Sequence, residues 1–311
     1  MGTRIRVAVC TNREAAGAAE CLAALAAQVP PDELLVVTSG LPEPAVNAHR
    51  EASKATVLAD PIPGLSRARN RALAWAAADA QADAIAFVDD DAVIADGWRE
   101  ALQKRWDEAP ERVACIGGPI RPRYEVPPPA WLSDGISFTL TLLDRGPEVR
   151  DLDPEIEAVY GANISFRVEP LERIGGFDPS LGHGADGRAI YFAEEDEAQR
   201  ALARLGFTIR YVPDAAVWHV IGPERLTRGS FLRRRFAFGR ALGSRGGRPW
   251  PLAARQAIVS GAGAVAATAR GDQARAMERA VRAAENTGVL ATAPRRRRAP
   301  GRGPDSRPQR P

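Results

Sequence analysis

Three consecutive aspartates, Asp89, Asp90 and Asp91, directly follow an apolar run at residues 84–88. The run shows no polar alternation, which is typical of a central strand covered on both faces. Because side chains alternate along a strand, Asp89 and Asp91 are expected to face one way and Asp90 the other. Two carboxylates at a strand end can hold Mg²⁺ or Mn²⁺ against a diphosphate. The triplet therefore predicts a metal and diphosphate site, and an acidic strand-to-loop turn is the alternative.

A second acidic pair, Glu195 and Asp196, lies at the start of an amphipathic pattern that ends before Gly206. The spacing predicts a helix over residues 194–205, with Gly206 near its C-cap. The N–H groups at a helix N-terminus keep a carboxylate ionised, and an ionised carboxylate can accept a proton during catalysis. Acidic residues are also ordinary in a first helical turn, so the pair by itself leaves both interpretations open.

Two later segments also contain residues that could bind ligands. Residues 231–240 mix arginines with phenylalanines, a composition that suits phosphate binding, contact with anionic lipid, or a solvated helix face. Residues 261–266 match the dinucleotide-binding pattern GxGxxA. No predicted strand precedes this run, so the mechanism behind that pattern is absent and we exclude a dinucleotide site.

Alternating strand and helix patterns must position these residues. Strands are predicted at residues 5–10, 33–37, 56–58, 84–88, 113–116 and 207–212, and helices at 66–78, 194–205 and, in an Ala-rich region, 250–293. This order predicts βαβ units and therefore an α/β fold on a mostly parallel sheet. Residues 117–160 are rich in Gly and Pro breaks and predict a long irregular loop with a binding or lid role.

Composition excludes several classes of protein. The net charge is +3, but residues 295–311 contain seven arginines and one aspartate, which leaves residues 1–294 at −3. The body is therefore not a basic nucleic-acid-binding domain. Three cysteines without CxxC spacing favour a reducing compartment over a disulfide framework. The N-terminus shows no export signal, and the uncharged run at residues 256–269 is shorter than the roughly 20 residues needed to span a bilayer.

Taken in order, six motifs resemble those of family 2 glycosyltransferases of GT-A fold, over about residues 4–240. The motifs are Cys10-Thr11-Asn12-Arg13, Gly64-Leu65-Ser66-Arg67-Ala68-Arg69-Asn70, Asp89-Asp90-Asp91, Gly161-Ala162-Asn163, Glu195-Asp196 and Trp218-His219. Each is weak alone, and their order and spacing provide the specificity. The resemblance implies a GT-A domain at residues 1–245. A helical extension at 246–294 and a disordered Arg/Pro-rich tail at 295–311 are expected to follow it.

The resemblance also implies roles for individual residues. Asp89 and Asp91 would hold Mn²⁺ or Mg²⁺, with His219 as a third ligand, and Asp196 would be the catalytic base beside Glu195. The donor-binding set would be Thr11, Arg13, Ser39, Arg69, Asn70, Asp89 and Asp90, and the acceptor-side set Gly161, Ala162 and Asn163. Many relatives have an aspartate after the second strand, where this chain offers the uncharged Ser39.

The implied reaction is an inverting transfer of a sugar from a nucleotide diphosphate donor to an acceptor hydroxyl of a glycan, lipid or small molecule. The alternatives are a nucleotidyltransferase or a sugar-nucleotide hydrolase with the same sheet-edge carboxylates, and a non-catalytic binding module. The expected location is cytoplasmic, with peripheral contact to an anionic membrane at its inner face through residues 233–240 and the tail. No specific nucleic-acid partner is expected.

Overall fold

The computed structural model describes residues 2–181 and 194–292, which form an α/β domain followed by a helical region. The strands are β1 (Ile5–Thr11), β2 (Leu34–Ser39), β3 (Thr56–Asp60), β4 (Ala84–Asp89), β5 (Ala92–Ile94), β6 (Val113–Gly117), β7 (Ile120–Tyr124), β8 (Arg150–Leu152), β9 (Asn163–Arg167), β10 (Thr208–Tyr211) and β11 (Val217–Ile221). The helices are α1 (Ala15–Gln28), α2 (Glu43–Ala52), α3 (Leu65–Ala77), α4 (Trp98–Asp107), α5 (Asp134–Ser137), α6 (Val168–Arg173), α7 (Glu194–Arg204), α8 (Arg228–Ser244), α9 (Trp250–Ala269) and α10 (Gln273–Leu290). The strands and helices predicted from the sequence are confirmed. The predicted tail at 295–311 lies outside the described residues.

Within these residues, the main sheet has eight strands in the order β3-β2-β1-β4-β9-β6-β10-β8. The first four strands are parallel neighbours, because helices connect them in right-handed βαβ units. Strand β9 runs antiparallel to both β4 and β6, and β8 runs antiparallel to β10. The sheet is therefore mixed, with parallel pairing concentrated where the N-terminal motifs lie.

The carboxyl ends of β1, β2 and β4 meet at one edge of this sheet. Cys10 of β1 lies opposite Asp89 of β4, and Thr11 lies opposite Thr38 of β2. The strand order reverses at β1, because β2 lies on one side of it and β4 on the other. Open α/β sheets bind ligands at such a reversal. The sheet topology thus brings the first-strand motif and the aspartate triplet together.

A smaller three-stranded sheet, β5-β11-β7, lies beside this edge. In the antiparallel pair of β5 and β11, His219 lies opposite Ala92. Since Asp91 immediately precedes Ala92, this register brings the imidazole of His219 to the carboxylate of Asp91. The contact joins residues 128 positions apart and depends on strand pairing alone.

The stretch at residues 117–160, predicted to be irregular, is more ordered than expected. It contains β7, α5 and β8. Trp131, Ile136 and Leu140 from this stretch are buried against Phe231 of α8 and Met277 of α10. The prediction was wrong for these elements because the Gly and Pro signals are local, whereas the order comes from apolar packing against distant helices.

Helices α9 and α10 form the helical region that the sequence predicts over residues 250–293, and α8 packs against α10 from the chain before it. A Cβ added to Gly239 would lie 1.9 Å from the carbonyl oxygen of Glu285, and one added to Gly288 would lie 2.1 Å from that of Phe236. The two glycines therefore let the backbones of α8 and α10 approach closely.

The GxGxxA run falls inside α9, which confirms that it is no dinucleotide loop. None of the helices in residues 2–181 and 194–292 is long and apolar enough to cross a membrane.

Candidate active site

A cleft of about 500 Å³ lies over the carboxyl ends of β1, β2 and β4. We call it the donor cleft because it contains most of the residues that the sequence resemblance assigns to donor binding. Its walls include Thr11, Arg13, Ser39, Arg69, Asp89, Asp90, Asp91, Glu194, Glu195, His219, Glu224, Arg225 and Arg234. All of the predicted donor and metal residues except Asn70 line this one cleft. Its four arginines face the six carboxylates of Asp89, Asp90, Asp91, Glu194, Glu195 and Glu224, so the cleft is suited to an anionic ligand that arrives with a cation.

The three aspartates are not arranged by simple strand alternation. Strand β4 ends at Asp89, and the next two residues lie in a turn. Arg13 therefore contacts both of them, with its Nε 3.2 Å from Asp90 Oδ1 and its Nη2 3.0 Å from Asp91 Oδ2. The expectation that Asp90 faces away from Asp91 is wrong, because the turn brings all three carboxylates to the donor cleft.

Asp91 lies at the centre of a charged cluster with His219 and Arg225. Its Oδ1 is 3.2 Å from His219 Nε2, and its Oδ2 is 3.0 Å from Arg225 Nη1. Burial alone would raise the pKa of Asp91, but the hydrogen bond to His219 and the positive charges around the carboxylate hold that pKa well below its usual range. Asp91 is therefore ionised throughout the physiological range.

His219 cannot satisfy both of its neighbours as a hydrogen-bond partner. Its Nε2 lies 2.8 Å from Arg225 Nη1 as well as 3.2 Å from the Asp91 carboxylate. A ring nitrogen either donates a proton or offers a lone pair, so only one of these contacts can be a hydrogen bond at a time. A divalent cation next to Asp91 and His219 would accept lone pairs from both. No set of three or more His, Cys, Asp or Glu is arranged as a metal site among the residues described. The Asp91 carboxylate suits Mn²⁺ or Mg²⁺, and the His219 imidazole is a ligand that transition metals accept more readily than Mg²⁺.

Arg69 connects the donor cleft to the acidic helix start. Its side chain is 2 % exposed and pairs with Glu194 at 3.0 Å, with Asp89 at 3.4 Å and with Glu195 at 3.5 Å. Burial would lower the pKa of Arg69, yet these three carboxylates raise it above its ordinary value. Burial and the charge of Arg69 also shift the pKa of Asp89 in opposite directions. Burial has the larger effect and raises the pKa of Asp89 to about 6. The buried guanidinium thus holds three acids from distant segments in one place.

The Gly161 motif supports Arg69 from the other side. A Cβ on Gly161 would lie 2.1 Å from Arg69 Nη2, and the Gly161 N–H donates to Glu195 Oε1 at 3.2 Å. Only glycine leaves room for the guanidinium here. Ala162 and Asn163 are buried, and the Asn163 amide donates to the carbonyls of Pro119 and Ala215. These three residues therefore position the site from within the core and do not line a cavity.

Asn70 likewise takes part in a structural contact. Its amide nitrogen donates to the Phe177 carbonyl at 2.7 Å, and its oxygen accepts from the Phe177 N–H at 2.7 Å. The side chain therefore holds the chain after α6 against α3. Ser39 does line the donor cleft, but its hydroxyl accepts from the Gly64 N–H at 2.9 Å. It shapes the loop before α3.

A second cavity, of about 260 Å³, adjoins the donor cleft. We call it the acceptor pocket because it contains Asp196, the residue that the sequence resemblance assigns to activating an acceptor. Its walls include Phe138, Thr141, Arg145, Tyr160, Glu195, Asp196, Arg200, Arg234, Arg235 and Phe238. Thr141, Glu195 and Arg234 also line the donor cleft, so the two cavities share a wall. Glu195 therefore lies in the wall between the two cavities, whereas Asp196 lines the acceptor pocket and not the donor cleft.

Two acids that line the acceptor pocket, Asp196 and Glu195, have raised pKa values. Burial, reinforced by the charge of Glu195, raises the pKa of Asp196 to about 6. Burial and the charge of Glu194 raise the pKa of Glu195 to about 7, although Arg69 opposes them. A carboxyl with a pKa close to neutral is a better general base than an ordinary surface aspartate.

Sequence reasoning missed several residues that complete the site. Arg225 is six positions after His219 and contacts both His219 and Asp91. Glu194 is the first partner of Arg69, and Arg234 lies between the two cavities. Arg234 belongs to the basic segment at residues 231–240, but the sequence pattern there did not indicate which of its arginines faces the cavities. Arg225 belongs to no motif that the spacing reveals.

Comparison with solved structures shows the fold. The structure of GalNAc-T7 with UDP, GalNAc and Mn²⁺ superposes with a TM-score of 0.54 at 14 % sequence identity. The match covers 79 % of this chain and 51 % of the GalNAc-T7 chain. A central sheet flanked by helices, with the cleft at its carboxyl edge, is thus a GT-A fold.

The family follows from the sequence match. Residues 6–175, more than half of the chain, match the model of Glycosyl transferase family 2. The chain belongs to this family. It is also similar to the glucosyl-dolichyl phosphate glucuronosyltransferase of Haloferax volcanii, with 27 % identity over 137 residues. That match covers 44 % of this chain and 42 % of the archaeal protein, so the chain spans less than half of this relative's length.

Proposed function

We propose that this chain is an inverting glycosyltransferase that moves a sugar from a nucleotide diphosphate donor to an acceptor hydroxyl with the help of a divalent metal. The observation that carries the proposal is the pair of adjoining cavities. The donor cleft contains Asp89, Asp91 and His219, and the acceptor pocket contains Asp196. The diphosphate that leaves and the hydroxyl that attacks can therefore lie on two sides of one sugar.

The proposed chemistry is a single displacement. Asp196 accepts the proton of the acceptor hydroxyl, whose oxygen forms a bond to the anomeric carbon while the bond from that carbon to the diphosphate oxygen breaks. Arg13, Arg225 and Arg234 offer positive charge to the departing diphosphate. Asp91 and His219, with Asp89 nearby, would hold the metal, which when bound would withdraw charge from the diphosphate.

The relatives support the donor and suggest the acceptor. GalNAc-T7 was crystallised with UDP and Mn²⁺, which supports a nucleoside diphosphate and a divalent cation in the donor cleft. The archaeal relative is named for a lipid-linked sugar substrate. We propose that the acceptor here is likewise a sugar on a lipid phosphate. The acceptor pocket contains Phe138, Tyr160 and Phe238 for a sugar ring and Arg145 and Arg200 for a phosphate.

A product assay tests the function directly. Purified protein is incubated with nucleotide sugars, Mn²⁺ and lipid-linked or free sugar acceptors, and products are followed by mass spectrometry and NMR. Nucleoside diphosphate released in step with a glycoside of inverted anomeric configuration is the expected result. Pyrophosphate released from a nucleoside triphosphate would instead identify a nucleotidyltransferase. Release that needs no acceptor would identify a hydrolase.

Loss of the Asp91 carboxylate should weaken metal binding. In Asp91→Asn the partner of His219 loses its charge, so Mn²⁺ affinity measured by EPR in the presence of nucleoside diphosphate should fall at least about 10-fold. Asp32→Asn is the matched control, because Asp32 is exposed and remote from the cleft. Unchanged Mn²⁺ affinity in Asp91→Asn would remove Asp91 from the metal site, whatever the activity.

The pH dependence of kcat/KM should report Asp196. Its pKa is raised to about 6, and only the deprotonated form accepts a proton. We expect kcat/KM to rise about tenfold per pH unit below the pKa and to level off above it. Glu195→Gln should keep a rising limb, shifted to lower pH because the negative charge beside Asp196 is gone. A profile that falls as pH increases through about 6 would contradict the assignment.

A further inference from the structure

A third cavity, of about 550 Å³, lies between α9 and α10 and has no part in the proposed reaction. Its walls include Leu252, Arg255, Val259, Arg279 and Arg282. Glu285 is the one carboxylate among the described residues that line it. Basic and apolar side chains thus share one opening, which we call the α9–α10 cavity.

The positive charge of the α9–α10 cavity is not neutralised within the molecule. The guanidinium groups of Arg255, Arg279 and Arg282 make no hydrogen bond or ion pair with the part of the chain that the structure describes. Glu285 is already paired with Arg235 and, at 3.0 Å, with Arg248. Three cations therefore remain available to an anionic group from outside.

The neighbouring face of α9 is apolar and exposed. Five of the twelve exposed large hydrophobic side chains in the described residues belong to this helix, and Ile258 and Val265 are 73 % and 72 % exposed. Ile258, Ala262 and Val265 follow helical spacing, so they form one stripe along the outer side. The helix contains no Asp or Glu. A patch of this kind marks an interaction surface.

We propose that the α9 face and the α9–α10 cavity dock onto an anionic lipid surface, with the apolar stripe in the interface and lipid phosphates at Arg255, Arg279 and Arg282. The combination matches an interfacial helix, since apolar side chains enter the acyl boundary while nearby cations meet the headgroups. The chain's own residues 293–311 are an unsuitable occupant because they contain seven arginines. A second copy of this face would bring the same three cations against each other.

The docking surface adjoins the acceptor pocket. Phe138 lines both the acceptor pocket and the α9–α10 cavity. Docking through α9 would therefore place the opening beside Asp196 close to the headgroup layer. The inference goes beyond the proposed function, because vesicle binding requires neither donor nor metal and can fail while sugar transfer succeeds.

This surface replaces the one expected from residues 233–240. Arg234 donates to the Thr139 carbonyl, and Arg235 pairs with Glu285, so both side chains are used inside the molecule. Arg233 and Arg240 are exposed, but no exposed apolar stripe accompanies them on α8. Charge and apolar exposure occur together on α9 and not on the segment that composition favoured.

Vesicle flotation with the full chain tests the proposal. Vesicles of phosphatidylcholine with about one third phosphatidylglycerol are compared with pure phosphatidylcholine at low and high salt. One variant carries Arg255→Gln, Arg279→Gln and Arg282→Gln, and a second carries Ile258→Gln and Val265→Gln. The charge-matched control carries Arg71→Gln, Arg112→Gln and Arg173→Gln, three surface positions away from the cavity. Circular dichroism and melting confirm that each variant is folded.

We expect wild type and control to float with the anionic vesicles and to detach in salt. The arginine variant should bind roughly 100-fold more weakly, since each basic residue near an anionic surface contributes about a factor of five. The apolar variant should lose roughly tenfold or more. No flotation of wild type, or equal loss in the control, would overturn the proposal. So would a dimer that the apolar variant dissociates without any vesicle binding, or inorganic phosphate binding at the cavity without vesicle binding.

Discussion

Replacing Asp196 with asparagine should lower kcat at least about 100-fold and up to about 10,000-fold, while donor affinity stays nearly unchanged. The substitution keeps the shape of the side chain and removes its ability to accept a proton. Asp196 lines the acceptor pocket and is absent from the walls of the donor cleft, so the nucleotide should bind as before. Steady-state kinetics together with calorimetric titration of nucleoside diphosphate and Mn²⁺ separates the two effects.

The matched control for this variant is Glu197→Gln. Glu197 lies in the same helical turn, pairs with Arg204 at 2.9 Å and does not line either cavity. It should keep turnover within about twofold of wild type. If Asp196→Asn keeps near-normal turnover, the base is another group, and Glu195 is the first to examine because both cavities share it. If the variant instead loses donor binding, Asp196 has a structural role in the cleft.

Replacing Arg69 with methionine should have the largest effect on stability. The guanidinium is buried and contacts Glu194, Asp89 and Glu195, so its removal leaves buried carboxylates without a counter-charge. Breaking a buried ion pair from one side costs about 3–5 kcal/mol, which urea denaturation monitored by tryptophan fluorescence can measure. Arg71→Met is the control on the same helix, since Arg71 is exposed and should lose less than about 1 kcal/mol.

Two further measurements separate charge imbalance from lost packing. Adding Glu194→Gln to Arg69→Met removes one unpaired carboxylate and should restore part of the stability. The loss should also shrink as pH falls, because without Arg69 the pKa values of Asp89 and Glu195 rise further and the folded state takes up protons. A loss that is equal at all pH values and insensitive to Glu194→Gln would show that Arg69 acts through packing alone.

The sequence predicted the parallel strands around the aspartate triplet and the helix that begins at the acidic pair. The unbroken apolar run before Asp89 predicted a buried central strand, and β4 is that strand. The amphipathic spacing after Glu195 predicted α7 from its first residue almost to its last. Both inferences rest on side-chain periodicity, a property of neighbours in the chain. The same information predicted the carboxylates at a sheet edge, because parallel strands must end on the same side.

Only the tertiary structure decided which side chains meet. His219 reaches Asp91 through the register of β11 against β5, and Arg69 gathers acids up to 126 positions away. Asn70 and Asn163 turned inward to bond backbone carbonyls, although their motifs resemble ligand-contacting ones. The triplet Asp89 to Asp91 departed from alternation because β4 ends at Asp89, and Asp90 and Asp91 lie in a turn. Pairing register, strand ends and long-range packing are set by the whole core, and a local pattern contains no information about them.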